Sequence, residues 1–136
     1  MKILHTADWH LGTFRSPVKD GVNLRTEDTK RCLDELIRVA NEEKPDYSLV
    51  SGDIFHVGRL WSDRCCEEII TAIHYIRELA AVSKQVVVMR GTPNHDGSGQ
   101  FNVLSEMFAD VPNVHVVITP QVISFDDVDI AVLPGF

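Results

Sequence analysis

The sequence has few cysteines, no excess of basic residues and no long apolar run, and each shortage argues against a class of protein. Its 136 residues include three cysteines, two of them adjacent, and no Cys-x-x-Cys pair, so buried thiols are favoured over a disulfide framework or a cysteine zinc site. The formal net charge of −7 argues against a protein that coats nucleic acid through a broad basic surface, although a local site with metal ions stays open. We expect no signal peptide, no membrane partner and a cytoplasmic location.

Apolar runs and amphipathic segments alternate along the chain. Strands are predicted for KILHTA, YSLVSGD, QVVVMRG, VHVVI, VISF and DIAVLPG, and helices for about 26–43, from Ser62 onward and for FNVLSEMFA. Buried strands that alternate with amphipathic helices favour one α/β domain with a largely parallel sheet covered by helices. The chain stops at Phe136 directly after a predicted strand, so we expect that the native protein continues.

Polar side chains follow the first three predicted strands. The strand ends read ADWH, SGDIFH and TPNHD, which place Asp8 and His10, then Asp53, then Asn94 and His95 after successive strands. In a parallel sheet functional groups gather at the carboxyl edge of the strands, so we expect these residues to lie together. Oxygen and nitrogen donors without sulfur suit Mn²⁺, Fe²⁺ or Mg²⁺ better than a structural zinc ion.

The spacing of these residues has a mechanical interpretation. Asp8 and His10 are two apart, so in extended backbone their side chains would point the same way. Gly52 permits a tight turn, after which one Asp53 carboxylate could reach two ions that clamp a phosphate. Asn94 could ligate without adding negative charge, and His95 could donate a proton to a departing oxygen. Each motif alone is also ordinary turn chemistry, but three strand ends together favour a site.

These segments are similar to a known family. ILHTADWHLG, SGDIFH and RGTPNHDG resemble the D-x-H, G-D and G-N-H-[DE] blocks of the calcineurin-like metallophosphoesterases, and HTADWHLG and GDIFH look most like the SbcD-type nucleases of DNA double-strand break repair and recombination. The resemblance implies a two-sheet β-sandwich with flanking helices, of which residues 1–136 would be the N-terminal part. It also implies a phosphodiesterase that acts on DNA ends with two Mn²⁺ ions, Mg²⁺ or Fe²⁺ being alternatives.

The resemblance also assigns roles to individual residues. Asp8 and His10 would hold the first ion, Asp53 would bridge both ions, Asn94 would hold the second, and His95 would protonate the leaving group. His56 is similar to a family histidine near the DNA end, although a loop histidine with a local hydrogen bond is an equal alternative. Asp96 would orient His95 or merely begin the next turn.

The resemblance implies partners as well. SbcD-like nucleases work with an SbcC-type ATPase and form homodimers through helices after the second and third blocks. By that resemblance a two-fold interface would involve four apolar residues, whose alternative role is in the core: Leu60, Trp61, Leu104 and Phe108.

The sequence departs from the family pattern in two places. Pro93 stands directly before the Asn-His pair where the family has glycine, with Gly91 two residues earlier. No histidine follows His115, whereas the family completes its site with three later histidines, so we expect weak metal binding by this chain alone. Two alternatives therefore stay open: a phosphatase or nucleotide phosphodiesterase with the same metal centre, and a non-catalytic dimerising or docking fragment.

Overall fold

The computed structural model describes residues 1–12, 14–58 and 63–135. Within the last range, residues 63–65 are described by their backbone only. Eight strands and three helices follow one another within these ranges: β1 (Ile3–Thr6), β2 (Val18–Lys19), β3 (Val22–Asn23), α1 (Leu24–Glu43), β4 (Tyr47–Ser51), α2 (Asp63–Val82), β5 (Gln85–Met89), α3 (Ser98–Met107), β6 (Val114–Val117), β7 (Gln121–Ser124) and β8 (Asp129–Val132). All six predicted strands and all three predicted helices are present. The short β2–β3 hairpin lies in a segment for which the sequence predicted only a loop.

Helix α1 shows how local sequence sets the ends of an element. The Asn23 side chain accepts hydrogen bonds from the backbone N–H groups of Arg25 and Thr26, which find no carbonyl partner within the first turn of the helix. The helix ends at Glu43, its cap residue Lys44 adopts a left-handed conformation, and Pro45 follows and cannot continue the helix.

The central sheet contains four parallel strands in the order β1-β4-β5-β6. Val50, Val86 and Val88 belong to the main core, to which all three helices contribute, so the helices cover one face. Val87 and Val117 point to the opposite face and meet Val132 of the antiparallel β7–β8 hairpin. The predicted parallel sheet is confirmed, but the helices cover only one of its faces, and β7 and β8 form a separate two-stranded sheet on the other.

The core includes two of the four residues that the family resemblance places at a dimer interface. Leu104 and Phe108 are 0% and 2% exposed and belong to the main hydrophobic cluster of this chain. Because they contact their own chain, they offer no surface to a partner, and the core alternative is correct for these two residues. Leu60 and Trp61 lie outside the described residues.

Within the described ranges, no helix is long and apolar enough to cross a bilayer.

Candidate metal centre

The loops that follow β1 and β4 run side by side beyond the sheet. The Asp8 N–H donates to the Gly52 carbonyl at 3.0 Å, and the His10 N–H donates to the Asp53 carbonyl at 3.0 Å. An isolated parallel bridge between Leu11 and Phe55 extends this pairing. Since β1 and β4 are neighbours in the sheet, their loops emerge together, and the backbone bonds keep the first two sequence blocks in contact.

The backbone at the predicted ligands is left-handed. Asp8, His10 and Asp53 have φ values of 57°, 47° and 50°, a region that few non-glycine residues occupy. The expectation that Asp8 and His10 share a face because the backbone is extended is therefore wrong. Their side chains nevertheless meet, with 3.6 Å between His10 Nε2 and Asp8 Oδ1. The tight turn predicted at Gly52 is confirmed by its φ of 87°.

Three of the predicted ligands converge. Asp8, His10 and Asp53 each place one possible ligand atom within 4.8 Å of the others. The Nδ1 atom of His10 is also buried and has no hydrogen-bond partner among the described residues. Two carboxylates and an imidazole are donors that divalent Mn²⁺, Fe²⁺ or Mg²⁺ accepts. The donor set thus fits a divalent metal ion.

Asp53 is held in place by Thr92, a residue that the sequence reasoning missed. Asp53 Oδ1 accepts hydrogen bonds from the Thr92 backbone N–H at 2.7 Å and from the Thr92 hydroxyl at 3.0 Å. Asn94, two residues later, has an exposed side chain, and its backbone carbonyl accepts a bond from the Gly58 N–H. Thr92 lies between Gly91 and Pro93, two residues before Asn94, and this position within the third block was the available signal.

Asp96 joins two loops instead of orienting His95. Its carboxylate is fully buried, with Oδ1 accepting from the Phe55 N–H at 3.0 Å and Oδ2 from the Gly91 N–H at 2.7 Å. Burial raises the pKa of the Asp96 carboxyl, while these two backbone bonds oppose that rise. The predicted orienting role is therefore replaced by a structural one: Asp96 connects the loop after β5 to the loop after β4.

The His95 ring is oriented by a backbone carbonyl. His95 Nδ1 donates to the carbonyl oxygen of His56 at 2.6 Å, and because a carbonyl can only accept, Nδ1 carries the proton. Nε2 is then the nitrogen that remains for chemistry. The His95 and His10 rings meet edge-on with centroids 4.6 Å apart.

His56 lies beside these two histidines. Its ring packs on Phe14 with centroids 4.2 Å apart, and it faces both His10 and His95 at 5.9 Å. Burial, together with the neighbouring charges of His10, His95 and Arg25, lowers the pKa of His56. The neutral imidazole is therefore favoured, and it can act as an acceptor or a ligand.

A parallel sheet that presents carboxylates and imidazoles at neighbouring strand ends is typical of a metal-dependent hydrolase. The model of the calcineurin-like phosphoesterase family matches residues 1–135, and the chain belongs to this family. The resemblance found in the sequence motifs is confirmed at this level, and the family binds divalent metal ions.

Two similar proteins carry a more specific name than the family does. The chain is 29% identical over 127 residues to the SbcD subunit of the SbcCD nuclease from Staphylococcus epidermidis (strain ATCC 12228 / FDA PCI 1200), and the match covers 93% of this chain and 30% of that protein. It is 31% identical over 108 residues to the protein of the same name from Staphylococcus saprophyticus subsp. saprophyticus, covering 79% of this chain and 26% of that protein. The chain therefore spans less than a third of the length of these relatives.

Proposed function

We propose that this chain supplies part of the catalytic centre of a metal-dependent DNA nuclease, which hydrolyses phosphodiester bonds at DNA ends in double-strand break repair and recombination. The observation that carries the proposal is the convergence of Asp8, His10 and Asp53 within 4.8 Å, in a chain similar to two proteins named as nucleases. Mn²⁺ is the ion we propose, with Mg²⁺ and Fe²⁺ as alternatives.

We propose a separate role for each residue of the centre. Asp8, His10 and Asp53 would hold the metal, and Thr92 fixes the orientation of Asp53 through two hydrogen bonds. Divalent ions, when bound, supply positive charge for the phosphodiester and activate water. His56 packs beside this centre, and it is the residue we propose nearest to the DNA end. Asn94 stays a proposed ligand of a second ion.

His95 is the proposed proton donor to the leaving oxygen. The His56 carbonyl fixes the ring and engages Nδ1–H, so the proton for the leaving oxygen has to be a second one, carried on Nε2 of the imidazolium form. General acid catalysis requires a donor whose position is set in advance, and this carbonyl contact provides it.

The relatives are named as one subunit of SbcCD, and we propose that this protein likewise works with an SbcC-type ATPase and as a homodimer. Helix α3 could contribute to such a dimer only through its exposed side, where Val103 and Met107 lie, because Leu104 and Phe108 are buried. The net charge of −7 favours a second candidate, a phosphodiesterase of small substrates, since a polyanionic duplex is repelled by an acidic protein.

Calorimetric titration with Mn²⁺ tests the centre directly. We expect wild type to bind Mn²⁺ and Asp53→Asn to lose most of that affinity, whereas the control Asp28→Asn, an exposed carboxylate on α1, behaves as wild type. Equal Mn²⁺ affinity in wild type and Asp53→Asn would show that the centre is wrongly assigned. Parallel assays with blunt duplex DNA and bis-p-nitrophenyl phosphate separate the candidates: turnover of only the small ester would favour the second.

A further inference from the structure

Three histidines form a cluster beside the carboxylate centre. His10, His56 and His95 come from three different loops, and each places a ring nitrogen within 4.8 Å of the others. We propose that these three imidazoles form a distinct site for a zinc-class transition metal ion. This site shares His10 with the carboxylate centre, so the two sites exclude each other.

Hydrogen bonding shows which ring nitrogens are free. His95 uses Nδ1 on the His56 carbonyl, which leaves its Nε2. The Nδ1 atoms of both His10 and His56 are buried and have no hydrogen-bond partner among the described residues. A buried polar atom without a partner is costly, and two such atoms in one cluster of rings indicate a ligand that would satisfy both.

The donor chemistry selects the ion. Three imidazoles without a carboxylate suit Zn²⁺, Co²⁺, Ni²⁺ or Cu²⁺, whereas Mg²⁺ and Mn²⁺ prefer oxygen. Three protein nitrogens with a fourth position open is an arrangement that zinc commonly adopts. In a tetrahedral zinc site each nitrogen lies about 2.0–2.1 Å from the ion, so two ligand nitrogens lie about 3.4 Å from each other. The histidine nitrogens here lie within 4.8 Å of one another, so each pair would have to approach by about 1.4 Å at most.

Occupation of this site would have a consequence for catalysis, and this part of the inference rests on the proposed function. An ion held by His10, His56 and His95 removes a ligand from the carboxylate centre and engages the proposed proton donor at the same time. Zn²⁺ would therefore oppose Mn²⁺-dependent hydrolysis by exclusion, without any change of fold.

Calorimetry on the tag-free chain, with its thiols blocked by alkylation, tests the site with Zn²⁺ and Mn²⁺ as separate probes. We expect one Zn²⁺ per chain, and an affinity at least about 100-fold lower in His56→Ala, since losing even an outer partner of a metal ligand costs about 10–100-fold. The control His74→Ala removes an exposed imidazole from α2 and should bind Zn²⁺ as wild type does. Asp53→Asn should keep its Zn²⁺ affinity while losing Mn²⁺.

Two outcomes would overturn the proposal: Zn²⁺ affinity unchanged in His56→Ala, or Zn²⁺ affinity lost in Asp53→Asn and not in His56→Ala. Circular dichroism checks that each variant is folded, and His95→Gln is the second variant if His56→Ala does not fold. The visible spectrum of Co²⁺ bound to wild type is a readout that needs no variant, because a weak six-coordinate spectrum contradicts a three-imidazole site. Loss of the proposed function is distinguishable, since it appears as Mn²⁺ affinity that does not depend on Asp53.

Discussion

Gly91 lies where the loop after β5 crosses the loop after β4, and its replacement by alanine gives the sharpest test of how the site is built. A Cβ atom at this position would lie 2.2 Å from the Asp53 backbone nitrogen and 2.3 Å from Asp53 Oδ1. Gly91 has no left-handed φ, so alanine is compatible with its backbone conformation, and only the close approach forbids the side chain. Gly21 is the control glycine, because it has a left-handed φ of 79° but nothing lies within 4 Å of an added Cβ.

The two substitutions should differ clearly in cost. Forcing a methyl group into a packed site costs about 1–3 kcal/mol. The displacement also strains the hydrogen bonds from Thr92 to Asp53 and from Gly91 to Asp96, and bonds to charged groups contribute about 1.5–3 kcal/mol each. We therefore expect Gly91→Ala to lower the free energy of unfolding by about 3–5 kcal/mol, since these terms are not fully additive. Gly21→Ala should cost only the left-handed penalty of about 1–2 kcal/mol.

Urea denaturation followed by circular dichroism measures both variants, and a Mn²⁺ titration of each follows. Gly91→Ala should lose Mn²⁺ affinity because both the backbone and the carboxylate of Asp53 must move, whereas Gly21→Ala should retain it. The reasoning is refuted if Gly91→Ala is no less stable than Gly21→Ala, or if it binds Mn²⁺ as wild type does.

Three further predictions concern single side chains. Thr92→Val should weaken Mn²⁺ binding about tenfold, as loss of an outer partner does, while Thr92→Ser should not; equal affinities in calorimetry would contradict this. Asp96→Asn should cost about 2 kcal/mol in urea denaturation, because an amide can accept only one of the two backbone N–H bonds; a neutral result would exclude the structural role. Burial lowers the pKa of His115 below its ordinary value of 6.5, so the unfolded chain binds more protons and stability falls on acidification below that pH. His115→Gln should remove this part of the difference between unfolding at pH 7 and at pH 5, and an unchanged difference would contradict it.

The sequence predicts the strands and their polar ends well, for a physical reason. The three valines of β5 and most of β4 are buried in the parallel sheet, whereas β1, also predicted to be buried, is its partly exposed edge strand. Parallel strands bring their following loops to one edge of the sheet. That arrangement accounts for the neighbouring positions of the loops that carry Asp8, His10 and Asp53. It does not account for the left-handed backbone at these residues, which depends on the pairing of two loops whose bonded residues are 43–45 positions apart in the chain.

Contacts between residues of different loops could not be predicted from the sequence. Asp96 follows His95 directly, which suggests a local orienting role, but its carboxylate contacts Phe55, which is 41 residues away in the chain. Leu104 and Phe108 show a related limit. The periodicity of a helix shows that one side is apolar, but it does not say whether the same chain or a second copy covers that side.

The left-handed conformation of Asp8, His10 and Asp53 bears on how this protein would respond to selection. Residues held in such conformations cost about 1–3 kcal/mol each, and glycine or asparagine relieves that cost. A screen for thermal stability alone, performed without metal, should therefore enrich substitutions at these three positions first. Adding Mn²⁺ during the screen should reverse that preference. An ion that binds only the folded state stabilises it, and this stabilisation is lost when the residues that hold the ion are replaced.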